Sequence, residues 1–122
     1  MGYSNSIAFD NALEYLHIAG PLNLNRRTKQ ADTVMGTILP LNETEFAALD
    51  MLAENEGDWL TFEQLYSAFW ALENDTDNRD VARAGMDNIV SLVKSAGEGF
   101  MWIENKPGDS YTFRTRWGHN WH

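Results

Sequence analysis

Apolar and polar positions change rhythm twice along the chain, and the changes divide it into three stretches. From residue 7 to 40 the apolar residues come in short runs broken by Gly20-Pro21, Gly36 and Pro40. That pattern predicts short strands and turns over Leu13–Ile18, Leu22–Leu24, Ala31–Met35 and Thr37–Leu41, with a helix over Ala8–Leu16 as the alternative for the first of them. From Asn42 the period becomes helical. Asn42-Glu43-Thr44-Glu45 has the form of a capping box and is followed by Phe46, Leu49, Leu52 and Ala53, which predicts a first helix ending near Asn55-Glu56-Gly57. A second box, Thr61-Phe62-Glu63-Gln64, precedes Leu65, Ala68, Phe69 and Leu72, a stripe that predicts a second helix. The polar run 73–78 reads as a loop with a capping end. Ala82, Met86, Ile89, Leu92, Val93 and Ala96 then predict a third helix from about Arg79 to Ala96, with Gly97-Glu98-Gly99 as its stop. Gly85 inside that helix costs about 1 kcal/mol relative to alanine, so a close neighbour is expected there. In the last stretch Phe100–Asn105 and Ser110–Thr115 flank a Pro-Gly turn and read as a hairpin.

The resulting order, short strands, three helices and a hairpin, is that of a winged helix-turn-helix. The chain is 122 residues long, the size of one domain: strands in 1–41, helices in 42–97, a wing in 100–115 and a tail in 116–122. Hydrophobic residues make up 43%, with six Phe, five Trp and four Tyr, enough for a packed core. Cysteine is absent, which excludes disulfides and thiolate chemistry and favours an intracellular address. No stretch reaches the roughly 20 apolar residues of a membrane span, and the first residues lack the pattern of a secretory signal. A cytoplasmic protein is expected.

The net charge is −9, which taken alone opposes a polyanionic partner. Its distribution qualifies that. Residues 1–40 hold three bases and three acids, residues 41–78 ten acids and no base, and residues 79–122 six bases and five acids. The excess of acid lies in the first two helices.

Several segments then resemble the C-terminal effector domain of OmpR/PhoB-type response regulators. They are Leu41-Asn42-Glu43-Thr44-Glu45-Phe46 with Leu49 and Leu52; Leu60-Thr61-Phe62-Glu63-Gln64-Leu65 with Trp70; Arg79 or Arg83 leading to Ile89 and Leu92; and Trp102-Ile103 running to Gly108-Asp109-Ser110-Tyr111-Thr112-Phe113. The resemblance covers about residues 20–114. It implies an α+β winged helix with an N-terminal antiparallel sheet, a third helix that enters the DNA major groove and a wing that reaches the backbone or minor groove. It also implies a DNA-binding transcriptional regulator without enzymatic activity. The implied contacts are Arg79, Arg83, Asn88, Ser91, Lys94, Lys106 and Arg114, with Arg116 at the hairpin exit; Arg and Lys suit phosphates and Asn can pair with adenine.

This chain departs from the family in having Val93 and Ser95 where the third helix usually carries cations, and Pro107 and Asp109 in the wing. With so few bases a monomer is expected to bind double-stranded DNA weakly, and a homodimer on two half-sites would double the cations. The receiver domain that usually precedes such an effector does not fit within this length, so the chain is expected to stand alone or to be part of a longer one. The competing reading keeps the fold without DNA: a protein-interaction module whose acidic first two helices, or whose third-helix face, dock a partner.

Other chemistry is thinly supported. The stretch from Asp75 has the opening of a calcium loop but Asp80 at its sixth position and Met86 at its twelfth, so it lacks the glycine turn and the bidentate glutamate. His119 and His122 lie in a tail expected to fray. There is no phosphate loop, nucleophile elbow or metal-ligand pair, so neither an enzyme nor a cofactor site is expected. Trp59, Phe69, Trp70, Trp102, Tyr111 and Phe113 read as core or core-edge aromatics.

Overall fold

The computed structural model describes residues 15–71 and 78–116. Its first layer is a four-stranded antiparallel sheet in the order β1 (Leu16–Ala19), β2 (Leu22–Asn25), β3 (Gln30–Thr33) and β4 (Ile38–Leu39). The register sets Leu24 opposite Ala31 and Ala31 opposite Leu39, so these three share the buried face with Leu22 and Ala19. Asn23, Asp32, Ile18 and Ile38 alternate onto the other face. All four strands lie where short apolar runs predicted them, with shifted ends. Val34 and Met35, expected in a strand, belong instead to the turn that Gly36 makes at φ 92°, because a left-handed residue ends the ladder. The alternative helix over Ala8–Leu16 falls mostly outside the described residues.

Helix α1 (Glu43–Glu54) starts where its sequence signal stands. Asn42 Oδ1 accepts from the Glu45 amide at 2.7 Å and Glu45 Oε1 from the Asn42 amide at 3.0 Å, which satisfies two otherwise orphaned donors. Phe46, Leu49, Leu52 and Ala53 are buried. α1 is tied to the first sheet by a polar cluster. Arg26 donates to both Asp50 oxygens at 2.8 and 2.9 Å, and His17 Nδ1 lies 3.0 Å from Asp50 Oδ1.

Burial pushes the Asp50 carboxyl up, but the hydrogen bonds from Arg26 and His17 outweigh it and hold the carboxyl below its usual range. The unfolded chain therefore takes up this proton first as pH falls. The stabilisation is complete above the ordinary carboxylate pKa of about 4 and is lost as pH drops through the lower folded value. Asp50→Ala is expected to cost about 1.5 kcal/mol at pH 7. In urea melts, the gap between wild type and Asp50→Asn should narrow between pH 7 and pH 3; a gap of constant size would show that the carboxylate charge is not what holds the sheet to α1.

Helix α2 (Phe62–Leu65) opens on the second capping box, Thr61 Oγ1 accepting from Gln64 N at 3.0 Å and Gln64 Oε1 from Thr61 N at 2.7 Å. It continues as one π turn, Tyr66–Trp70, closed by the Ala71 amide on the Tyr66 carbonyl at 2.9 Å. The buried residues are Phe62, Leu65, Tyr66 and Trp70, while Ala68 is exposed and Phe69 half-buried. The predicted stripe through Leu65, Ala68 and Phe69 is thus rotated, and Leu72 falls outside the described residues. Burying Tyr66 and Trp70 removes far more apolar surface from water than burying Ala68 would, so the aromatics set the face.

Asn78, expected to cap the third helix, does something else. Its side-chain amide donates to the Trp70 carbonyl at 3.0 Å, and its backbone amide to the Tyr66 hydroxyl at 3.3 Å. The end of the π turn leaves a carbonyl that needs a donor, and Asn78 supplies it. Helix α3 (Arg79–Gly97) follows, burying Ala82, Gly85, Met86, Ile89, Val93 and Ala96. A Cβ on Gly85 would meet Trp70 Cζ2 at 2.7 Å, so the close approach expected at this glycine is the Trp70 ring.

The chain closes with β6 (Met101–Lys106) and β7 (Ser110–Thr115), an antiparallel hairpin whose tip carries Gly108 at φ 96° and Asp109 at φ 61°. A two-residue strand, β5 (Leu60–Thr61), pairs with β7, giving the sheet order β5-β7-β6. Met101, Ile103, Tyr111 and Phe113 turn inward and complete the core with the helices. Among the described residues the architecture is α+β: an N-terminal antiparallel sheet, three helices and a C-terminal wing.

Candidate nucleic-acid interface

Helix α3 packs one face on the core, which leaves the opposite face to solvent. Along it run Asp80, Ala84, Asp87, Ser91 and Lys94, spaced alternately by four and three residues and all exposed. That spacing forms one continuous ridge. Of the residues expected to contact DNA, only Ser91 and Lys94 stand on this outermost line. Asn88 leans toward α1, where its amide reaches Glu45 Oε2 at 3.4 Å. Asp80 and Asp87, not foreseen as site residues, make the ridge acidic toward its N-terminal half; their helical spacing with Ser91 and Lys94 was the signal that places them there.

Arg79 and Arg83, one turn apart, flank the ridge on the side of α2 and the wing. Arg79 pairs with Glu63 and lies 4.4 Å from the centre of the Tyr66 ring. Arg83 lies 3.8 Å from the centre of the Phe62 ring, donates to both Asp109 oxygens at 3.1 and 3.2 Å, and donates to the Tyr111 hydroxyl at 3.1 Å. Partial burial works against the Arg83 charge, yet the bonds to Asp109 and Tyr111 prevail and hold the guanidinium protonated beyond its ordinary range. Burial likewise keeps the Tyr111 hydroxyl protonated, with Arg83 only partly opposing it. Arg83 therefore fastens the wing tip to α3.

On the wing, Arg114 pairs with Glu104 at 3.0 Å, and the Lys106 ammonium lies 4.3 Å from the centre of the Trp59 ring. Arg116 stands over Trp102 at 5.6 Å. The seven expected contacts thus divide between α3 and the wing, with partners on α1, α2 and the wing itself. Lys94 and Lys106 have no carboxylate partner among the described residues, whereas Arg79, Arg83 and Arg114 each hold one. Among the described residues no group of His, Asp or Glu could hold a metal ion, and no helix is long and apolar enough to cross a membrane.

The family model for the C-terminal part of transcriptional regulatory proteins matches residues 36–113, which span α1, α2, α3 and nearly all of the hairpin. None of the curated protein sequences matches significantly. Among solved structures, the response regulator DrrB of Thermotoga maritima, an OmpR/PhoB homologue, superposes with a TM-score of 0.64 at 25% identity. That match covers 82% of this chain and 44% of DrrB, so the chain spans less than half of that regulator. The DNA-binding domain of CpxR from E. coli gives a TM-score of 0.64 at 22% identity, covering 82% of this chain and 96% of that domain. The DNA-binding domain of AdeR, solved in complex with an intercistronic region, gives 0.65 at 13% identity, covering 81% and 99%. The last two likenesses, at such identities, speak for the fold.

Proposed function

Because this chain belongs to the family of C-terminal domains of transcriptional regulatory proteins, we propose that it is a DNA-binding transcriptional regulator that lays α3 in the major groove of a duplex with the wing alongside. The observation that carries this is the unbroken order of α1, α2, α3 and hairpin over the matched residues 36–113, together with an α3 ridge left open to solvent. Lys94 and Lys106 are the phosphate contacts of first importance, Ser91 and Asn88 face bases or sugars, and Arg79, Arg83 and Arg114 add contacts once their carboxylates yield them. The chemistry is recognition without catalysis, in the cytoplasm.

Two lysines without a carboxylate partner among the described residues, and a bias toward acid, imply weak binding by one copy. Two copies on adjacent half-sites would supply the affinity a regulator needs. The acidic faces of α1 and of the α3 ridge favour low nonspecific affinity and leave room for a basic protein partner. Fluorescence anisotropy with a random-sequence duplex at 20 and 150 mM salt tests the reading. Binding that weakens steeply with salt is expected. No binding even at 20 mM, with a protein partner recovered instead, would falsify it in favour of the protein-interaction module.

A further inference from the structure

Arg79 and Arg83 open into one cleft of about 540 Å³ between the start of α2, the start of α3 and the wing tip. Each guanidinium lies against an aromatic ring and pairs with a carboxylate, Arg79 with Tyr66 and Glu63, Arg83 with Phe62 and Asp109. The two carboxylates come from different walls of the cleft, Glu63 from the first turn of α2 and Asp109 from the hairpin tip. We propose that Glu63 and Asp109 are internal stand-ins for DNA phosphates, occupying Arg79 and Arg83 in the free protein and setting how tightly the domain binds a duplex. This rests on the DNA-binding reading above.

The chemistry of the guanidinium supports the exchange. Its fork of N–H donors accepts a carboxylate or a phosphate in the same two-point geometry, so the positions of the Asp109 oxygens mark where phosphate oxygens can sit. The side chains of Glu63 and Asp109 are 62% and 61% exposed, and exposed pairs of this kind contribute little and are weakened by salt. The rings are the durable half of the arrangement. Once a carboxylate swings away, Tyr66 and Phe62 still hold each guanidinium in place, so a phosphate meets a preorganised donor. Asp80 also lines the cleft, so two cations face three carboxylates, and an approaching duplex gains no attraction there until the stand-ins leave.

The test uses Glu63→Gln, Asp109→Asn and the double variant, titrated with the same random-sequence duplex over a range of salt. Asparagine tolerates the positive φ of residue 109, and thermal melts confirm that each variant folds. Glu43→Gln, an exposed residue at the start of α1, removes one negative charge away from the cleft and serves as the control. Each single variant should bind about 3- to 5-fold tighter than the control. The slope of log affinity against log salt should steepen by about 0.9 for each guanidinium that exchanges its carboxylate for a phosphate. If wild type binds and both variants merely track Glu43→Gln, the stand-in role is overturned while the DNA reading remains. If neither wild type nor variants bind at low salt, both fall together.

Discussion

Replacing Gly85 with valine is expected to destabilise the fold by about 3 kcal/mol, although the site lies in the middle of a helix where glycine is ordinarily a weakness. In an exposed helix interior, alanine in place of glycine gains about 1 kcal/mol. Here a Cβ would lie 2.7 Å from Trp70 Cζ2 and 3.6 Å from Glu45 Cγ. Trp70 is only 2% exposed, so the ring cannot step aside into solvent and α3 must move off α2 instead. The propensity gain is therefore overridden: Gly85→Ala should lose about 1 kcal/mol, and valine, with two further methyls, about 3. Chemical denaturation measures both. Trp70→Phe is itself destabilising, but it removes the ring edge that meets residue 85, so Gly85→Ala should cost less in that background. Additive losses would mean that the contact with Trp70 does not fix the spacing of α2 and α3. Because that spacing aims the α3 ridge relative to the wing, the same variants should weaken DNA binding beyond what their unfolded fraction explains.

Gly85 was readable from the sequence because a glycine in a helical stripe has few explanations. The starts of α1 and α2 were readable for a different reason. Capping boxes are closed within four residues, and both formed as their spelling implied. Features that depend on distant partners were not readable. β5 is two residues long, and its strand character comes from pairing Leu60 with Tyr111 and Thr61 with Ser110. Asn78 has the composition of a cap, but the carbonyl left at the end of the π turn, eight residues back, recruits its side chain. The candidate site shows the same division. Its residues could be named from the order of elements, while their pairing could not: Arg79 meets Glu63 across 16 residues and Arg83 meets Asp109 across 26. A net charge counts such arginines as available cations. Their geometry shows that they are engaged.

That distinction yields the largest functional effect. Lys94 ends the exposed ridge of α3 and Lys106 stands on the wing strand above Trp59, and neither has a carboxylate partner among the described residues to release before meeting a phosphate. Reversing both, Lys94→Glu with Lys106→Glu, removes two of the proposed contacts and sets two negative charges against the duplex. Affinity at 50 mM salt should fall about 100-fold, equivalent to about 2.7 kcal/mol. The slope of log affinity against log salt should drop by about 2 at the same time. Net charge alone also lowers affinity, so location must be separated from total. Arg27→Glu with Lys29→Glu makes the same change in net charge in the turn between β2 and β3, on the sheet at the N-terminal side of α1. Through a Debye length of about 14 Å at this salt, by interpolation between the usual values, a charge outside the interface is largely screened. The control pair should therefore cost only a few-fold. Equal losses from the two pairs would mean that DNA senses the charge of the whole protein and that α3 and the wing are not where it docks.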